Sequence, residues 1–582
     1  MSTTNNDANN KSNLEKEALE YHKKGRPGKL EITPTTPLIS SNDLSLAYSP
    51  GVATPCIEIE KKPETIYDYT SKGNIVAVIS NGTAVLGLGN IGAAASKPVM
   101  EGKSVLFKKF ADVDGIDLEV DTEDTEKFID AVSLLEPSFG GINLEDIKAP
   151  QAFDIEKRLK EELDIPVMHD DQHGTAIISC AALINALQIA NKEIDKVSIV
   201  VSGAGAAAIS CSKLYMALGA KKKNIVMLDS KGVIRSDRKN LSKEKKAFAT
   251  NKNLNSLKDS IKNADVFIGL SKPDILSIAM LKSMAKDPIV FAMANPDPEI
   301  NYDLACSVRN DVIMATGRSD HPNQVNNVLG FPFIFRGALD VRASTINEEM
   351  KLAAVKALAE LAKESVPEQV NIAYGVTSMS FGRNYIIPKP FDPRLISRVP
   401  LAVAKAAVKS GVSKKPIKDW NRYKEDLESR LGSNQKIVRL IHDRAKSEPK
   451  RLVFAEADQL DVLKAAQIVQ EEGIAETILL GNRETIEDLK ETINFEKDVE
   501  IIDPKDRKES KRRKIYSEIF WQDQKRRGYT KYDAKKLMRE RNYFAAMMIK
   551  NKDADAMISG YSRNYPSVIK PILEIIPKAK SI

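Results

Sequence analysis

The 582 residues hold few cysteines, tryptophans and histidines: four, two and five respectively. Cys56, Cys180, Cys211 and Cys306 are scattered with no C-x-x-C spacing. That excludes a disulfide framework and a cysteine zinc site, and it fits a reducing cytoplasm. No apolar run reaches the roughly 20 residues that a membrane span needs. The greasiest stretch, "TAIISCAALINALQIA", is shorter and carries Asn185 and Gln188, so it reads as a buried helix. The opening "MSTTNNDANNKSNLEKE" has no apolar centre, so no secretory signal is expected from it. Net charge is also scarce, since 87 basic residues against 80 acidic ones leave +7. The late runs "KESKRRK" and "QDQKRRGYTKYDAKKLMRERNY" read first as solvated helix faces. A patch for an anionic ligand is the other reading of them.

What is present is an ordinary globular composition, 42% apolar and 29% charged, in a chain long enough for two to four domains. Residues 1–13 are polar and Asn-rich and are expected to be disordered. Residues 14–190 mix strands ("NIVAVIS", "SVLFKKF") with helices ("TEDTEKFIDAVSLLE", "FDIEKRLKEEL"). Over 191–412 short apolar strands alternate with helices, which predicts a Rossmann-type doubly wound parallel sheet. A Lys-rich stretch, 413–435, reads as a linker. Residues 436–582 begin another α/β unit. The predicted fold class is therefore α/β throughout: an N-terminal catalytic domain, a Rossmann-type sheet and a partial α/β C-terminal domain.

Two glycine motifs compete for a dinucleotide. "LGLGNIGAAASKPVMEGK" holds a complete G-x-G-x-x-G in Gly87, Gly89 and Gly92. "VVSGAGAAAIS" is imperfect, with Gly203, Ala204, Gly205, Ala206, Ala207 and then Ala208 in the third glycine's place. A nucleotide-binding unit needs a strand, a glycine turn, a helix facing the pyrophosphate and a second strand ending in an acid. The second motif supplies all of these, ending at Asp229. The helix after the first meets Pro98, which should break or kink it, although Asp112 lies at the right distance. The second motif is the better candidate, and the first reads as a tight turn near a ligand.

Acidic pairs stand at Glu145–Asp146 and Asp170–Asp171. Such pairs can be helix caps or surface residues, or they can form an oxygen-rich site for Mg²⁺ or Mn²⁺. His169 and His173 flank the second pair and read as hydrogen-bonding residues rather than ligands. Tyr48 in "LAYSPGVA", Lys103 in "KPVMEGK" and Asn295 in "MANPDPE" complete the polar candidates.

Together these stretches resemble the malic enzymes of the short bacterial type, fused to a phosphate-acetyltransferase-like domain. The resemblance rests on "LAYSPGVA", "NGTAVLGLGNIGAAASKPVMEGKSVLFKKFADVD", "FGGINLEDIKAP", "HDDQHGTA", "VVSGAGAAA", "ANPDPE", "TGRSDHPNQVNNVLGFPFIFRGALD" and "INEEMKLAA". They run in the family's order over residues 20 to about 410. The resemblance implies oxidation of malate at C2, with hydride passing to NADP or NAD, and decarboxylation to pyruvate and CO₂. It implies Lys103 as base, with its pKa lowered, and Glu145, Asp146 and Asp171 as ligands of Mg²⁺ or Mn²⁺. It implies Tyr48 as the acid that protonates C3, and Asn295 with one of Asn326 or Asn327 as amides for substrate and nicotinamide. The longer eukaryotic enzymes hold a malate carboxylate with an arginine where this chain has Ala84. The turn from Ser49 to Gly51 is the expected substitute.

An acid such as Asp229 favours NAD, whereas Arg235 and Arg238 nearby favour the 2′-phosphate of NADP, and NADP is the expected cofactor. The C-terminal part, with "KRRG" and "ADAMISG", covers about half of an acetyltransferase domain, so no acetyl transfer is expected. Its partial sheet would leave strand edges to be covered. In full-length relatives that domain is thought to sense acetyl-CoA and organise oligomers. The expected partners are thus malate, pyruvate, CO₂, acetyl-CoA as an effector and further copies of the chain, with no nucleic acid or membrane. Two alternatives stand beside this reading. One is malolactic conversion, disfavoured because known malolactic enzymes resemble the longer branch. The other is a degenerate acetyl-CoA-responsive binding protein.

Overall fold

The structure is a computed structural model that describes residues 15–85, 88–430, 441, 444–493, 495 and 497–577. The tail 1–13 and the last part of the expected linker, 431–435, lie outside the described residues. The chain divides into two units, one comprising Met1–Lys363 and Gly382–Arg430, the other Glu364–Phe381 and Leu431–Ile582.

The first unit is built on two sheets. The smaller comprises β1 (Ile75–Ser80), β2 (Asp114–Glu119), β3 (Gly141–Leu144) and β4 (Val167–His169) in the order β2-β1-β3-β4, all parallel. β1 and β3 are mostly apolar, interrupted only by Ser80 and Asn143, and are buried along nearly their whole length, as strands covered on both faces must be. The helices α1 (Ala93–Ala111), α2 (Gln151–Glu162) and α3 (Asp170–Ile189) belong to this half. "SVLFKKF", expected as a strand, is the second half of α1. Met100, Ser104, Phe107 and Ala111 repeat at helical spacing and are buried, a period masked by the neighbouring Val105 and Leu106. Pro98 does not end the helix either. Near the helix start a proline removes the one bond its N–H would have made, and the later turns close normally.

The larger sheet comprises β5 (Ile199–Ser202), β6 (Ile225–Asp229), β7 (Gly232–Val233), β8 (Val266–Gly269), β9 (Ile289–Ala292) and β10 (Ile313–Thr316). Their order is β10-β9-β8-β5-β6-β7, parallel except for the β6–β7 hairpin. The chain runs from β5 to β6 on one side, then crosses to β8 on the other. That places the topological switch point between β5 and β8, where open α/β sheets take their ligands. Helices α4 (Ala206–Ala217), α5 (Phe331–Asp340), α6 (Glu348–Leu361) and α7 (Leu395–Lys409) belong to the same unit, with α8 (Trp420–Ser429). This last helix lies inside the stretch expected to be a linker. Tyr423 and Leu427, four residues apart, are buried, and the Tyr423 hydroxyl donates to Asp340 at 2.7 Å. Its lysine-rich flanks hid an amphipathic helix.

The second unit carries a parallel sheet of β11 (Lys450–Phe454), β12 (Ala475–Leu480), β13 (Glu500–Ile502) and β14 (Ala556–Ile558), ordered β13-β12-β11-β14. One apolar cluster gathers Val453, Phe520 and Phe544; another gathers Phe454, Leu463 and Ile486. Asn542 and Tyr543, the last residues of the run read as a solvated face, are buried in the helix α9 (Arg541–Lys550). The segment 364–381 belongs to this unit although it lies in sequence between α6 and α7, and Lys464 donates to the Thr377 carbonyl at 2.6 Å. Among the described residues no helix is long and apolar enough to cross a membrane.

Candidate active site

Because β3 and β4 are parallel neighbours, their carboxyl ends bring two acidic pairs together. Glu145 and Asp146 follow β3, and Asp170 and Asp171 open α3, where the helix dipole favours negative charge. Helix α1 delivers Lys103 to the same place. Its Nζ lies 2.6 Å from Asp170 Oδ2 and 2.8 Å from Glu145 Oε1, and 4.2 Å from the ring centre of Phe331. Asn143 donates to Glu145 at 2.9 Å, and the Asp146 backbone N–H donates to Asp171 at 2.8 Å. One oxygen each from Glu145, Asp146 and Asp171 lies within 4.8 Å of the others.

Asp170 was left without a role in the sequence, and the structure makes it the main partner of Lys103. It is fully buried and also accepts from Asn327 Nδ2 at 3.2 Å, while Asn327 Oδ1 accepts from Thr175 at 3.1 Å. Gly174 leaves the room for this, since a Cβ there would collide with the Asp170 carboxylate. The usable signal was two acids on the first turn of a helix with a glycine one turn on.

The electrostatics correct one expectation. Burial alone pulls the Lys103 ammonium down, but Asp170, Glu145 and Asp171 outweigh it and the net shift is upward. Lys103 is therefore held protonated here, not poised as a free amine. Burial and the crowding of Asp171, Asp170 and Asp146 hold Glu145 well above the carboxylate range despite Lys103. Three carboxyl groups thus act on one ammonium, and the oxygens of Glu145, Asp146 and Asp171 form an all-oxygen donor set of the kind that suits Mg²⁺ or Mn²⁺.

His173 stands apart from this oxygen cluster, paired with Glu156 at 2.8 Å, and burial lowers its pKa to about 3. His169 is buried, with Nδ1 3.7 Å from Asp171. Tyr48 does not join the cluster: its side chain is 73% exposed at the end of the short helix Ser41–Ala47. Ala84 does border it, donating its N–H to the Asp146 carbonyl at 3.0 Å. In the turn expected to replace the missing arginine, the Gly51 N–H is already taken by the Ser45 carbonyl at 2.8 Å. Asn326 caps a short 3₁₀ turn by accepting from Val328 at 3.0 Å, which leaves Asn327 as the asparagine of that pair inside the cluster.

At the switch point, Gly203 has φ +122°, and a Cβ on it would collide with the Leu270 carbonyl. Gly205 caps α4 without a side-chain bond, so its first N–H groups are available to a pyrophosphate. Asn295 is exposed just beyond β9. In the first glycine motif Gly89 and Gly92 have positive φ and Gly87 lies outside the described residues. Asp112 there caps α1 and pairs with Lys108 and Arg430 instead of ending a strand. Asp229 does end β6, but its carboxylate is occupied. Arg238 grips it with two bonds of 3.0 and 2.9 Å, Lys245 donates at 3.2 Å and the Lys231 N–H at 3.0 Å. These bonds outweigh burial and bring its pKa down to about 2.

A Rossmann-type sheet and a lysine–carboxylate cluster in one unit are the parts of a dinucleotide-dependent oxidoreductase acting on a small substrate. The comparisons agree. The malic enzyme N-terminal domain family matches residues 27–127 and 119–160, and the malic enzyme NAD binding domain family matches 172–380. The phosphate acetyl/butaryl transferase family matches 436–582. The NADP-dependent malic enzyme of Rhizobium meliloti is 51% identical over 96% of this chain and 74% of its own length. The crystal structure of malic enzyme from Pyrococcus horikoshii Ot3 aligns with a TM-score of 0.66 at 40% identity, covering 74% of this chain and 99% of that one. A bifunctional malic/malolactic enzyme of Bacillus subtilis is 52% identical over 69% of this chain and 95% of its own length. The chain belongs to the malic enzyme family and is an NAD(P)-dependent malic enzyme.

Proposed function

We propose that the chain decarboxylates malate oxidatively to pyruvate and CO₂, with NADP as the preferred acceptor and Mg²⁺ or Mn²⁺ as the required cation. The cluster of Lys103, Asp170, Glu145, Asp146 and Asp171 carries this reading. When bound, the dinucleotide accepts the hydride from C2 and the cation acts as Lewis acid at the C2 oxygen. Glu145, Asp146 and Asp171 would hold the cation. Lys103 passes one of its protons to Asp170, 2.6 Å away, as it takes up the proton of the C2 hydroxyl. Asn327 fixes Asp170 and faces the substrate, and Asn295 serves nicotinamide and substrate from the end of β9. The family motif assigns Tyr48 the proton at C3, and it stands exposed beside the helix that an oligomer would cover. Purified chain given malate and Mn²⁺ should reduce NADP; no reduction of either dinucleotide, with Mn²⁺ bound, would favour a degenerate binding protein.

The NADP preference rests on Asp229. Arg238 and Lys245 already neutralise it, so it is poorly placed to accept a ribose diol, and Ser230, Lys231, Arg238 and Lys245 offer a 2′-phosphate donors and positive charge. Arg238→Ala should raise KM for NADP about tenfold or more, the value of a lost charge-assisted bond, and should change KM for NAD far less. Equal changes in both would contradict this assignment.

Conversion of malate to lactate is the second reading, and the Bacillus subtilis relative weakens the earlier objection to it. Lactate appearing without net dinucleotide reduction would establish it. The second unit we assign a regulatory or structural role, with acetyl-CoA as an effector and no acetyl transfer. Acetyl phosphate made from acetyl-CoA and phosphate by the purified chain would contradict that. The helices Ser41–Ala47 and Ala53–Lys61 bury no residue, and Leu46 and Ile57 stand exposed, which supports a homo-oligomer that covers them. Four free cysteines support a cytoplasmic site.

A further inference from the structure

Glu299 is a fully buried carboxylate at the carboxyl ends of β8 and β9, outside the lysine–carboxylate cluster. Its two oxygens face two different loops. Oε1 accepts from the Ser271 N–H at 2.9 Å, in the loop after β8, and Oε2 accepts from the Ala294 N–H at 3.1 Å, in the loop after β9. Gly269 ends β8 without a side chain because a Cβ there would strike this carboxylate. The loop after β8 is tied in turn to the glycine loop after β5. Leu270 N–H donates to the Ser202 carbonyl at 2.8 Å, the Ser202 and Ser271 hydroxyls lie 3.0 Å apart, and Gly203 rests against the Leu270 carbonyl. One side chain thus ties two strand ends directly, those carrying Ser271 and Asn295, and a third, carrying Gly203, through the loop after β8.

We infer that Glu299 is a positioning residue for the dinucleotide: it sets the spacing between the glycine loop and the Asn295 loop without touching the cofactor. This rests on the assignment of the crevice between β5 and β8 to NAD(P). The chemistry requires a carboxylate, because both contacts are donated by backbone N–H groups. A glutamine keeps the shape but presents an NH₂ group to one of those donors, so one bond is lost and two donors confront each other.

The test uses the full chain with Glu299→Gln and a fluorescence titration with NADPH. Loss of a buried charge-assisted bond should weaken NADPH binding and raise KM for NADP about tenfold or more. The Mn²⁺ requirement should stay within about twofold, because the lysine–carboxylate cluster is built on other strands, a split that overall loosening would not give. If Glu299→Gln does not fold, Glu299→Asp takes its place with the same readings, since it keeps the charge and withdraws it by one methylene. Wild-type protein that fails to bind NADPH would defeat the crevice assignment. Wild-type binding with unchanged affinity in the variant, or equal rises in all three constants, would overturn the role of Glu299.

Discussion

Lys103→Ala should lower kcat/KM for malate by about a thousandfold or more while NADPH affinity stays within about twofold, because positioned acid–base groups contribute about 10²–10⁴. The cofactor crevice is built on β5 and β8, so the loss should fall on the chemistry. The same variant has a second readout. Lys103 is the cation between Asp170 and Glu145, at 2.6 and 2.8 Å, and its removal leaves buried carboxylates uncompensated. Breaking such a pair costs about 3–5 kcal/mol, so the metal-free variant should melt well below the wild type. Lys103→Arg keeps the charge and should restore most of that stability but little activity, since a guanidinium does not give up its proton. Full activity in Lys103→Arg would remove Lys103 from the proton pathway.

Asp171→Asn should raise the Mn²⁺ concentration for half-maximal activity by about a hundredfold or more, since even outer partners of metal ligands are worth about 10–100-fold. Calorimetric titration with Mn²⁺ in the absence of substrate should show the same loss. Asp171 has a side chain 40% exposed, whereas Asp170 has none of its side chain exposed and is committed to Lys103 and Asn327. Asp170→Asn should therefore act differently, abolishing turnover while Mn²⁺ affinity changes less. Equal losses of Mn²⁺ affinity in both variants would contradict the division of roles between the two neighbours.

Most of the architecture was legible because it is carried by local patterns. Apolar strands alternating with helices gave the parallel sheets, and the strand–turn–helix context rather than the completeness of the glycine pattern marked Gly203 and Gly205. What misled was also local. Val105 and Leu106 beside Phe107 imitated a strand, and Pro98 imitated a helix end, yet both lie in the helix that delivers Lys103. The lysine-rich stretch concealed α8 because only Tyr423 and Leu427 carry its buried face. At the site, the acids were visible as residue types but their partners were not. That Asp170 rather than Asp171 pairs with Lys103, and that Arg238 and Lys245 occupy Asp229, depends on contacts over 67, 9 and 16 residues that no spacing rule encodes. Tyr48 matches the family motif, and its 73% exposed side chain is the one assigned catalytic group that the structure leaves away from the cluster.

The central claim is oxidative decarboxylation at the Lys103 cluster, and product stoichiometry tests it most directly. Purified chain with malate, Mn²⁺ and NADP should release one pyruvate and one CO₂ for each NADPH formed, and Lys103→Ala should release none. Lactate in place of pyruvate, oxaloacetate without CO₂, or full turnover in Lys103→Ala would contradict it.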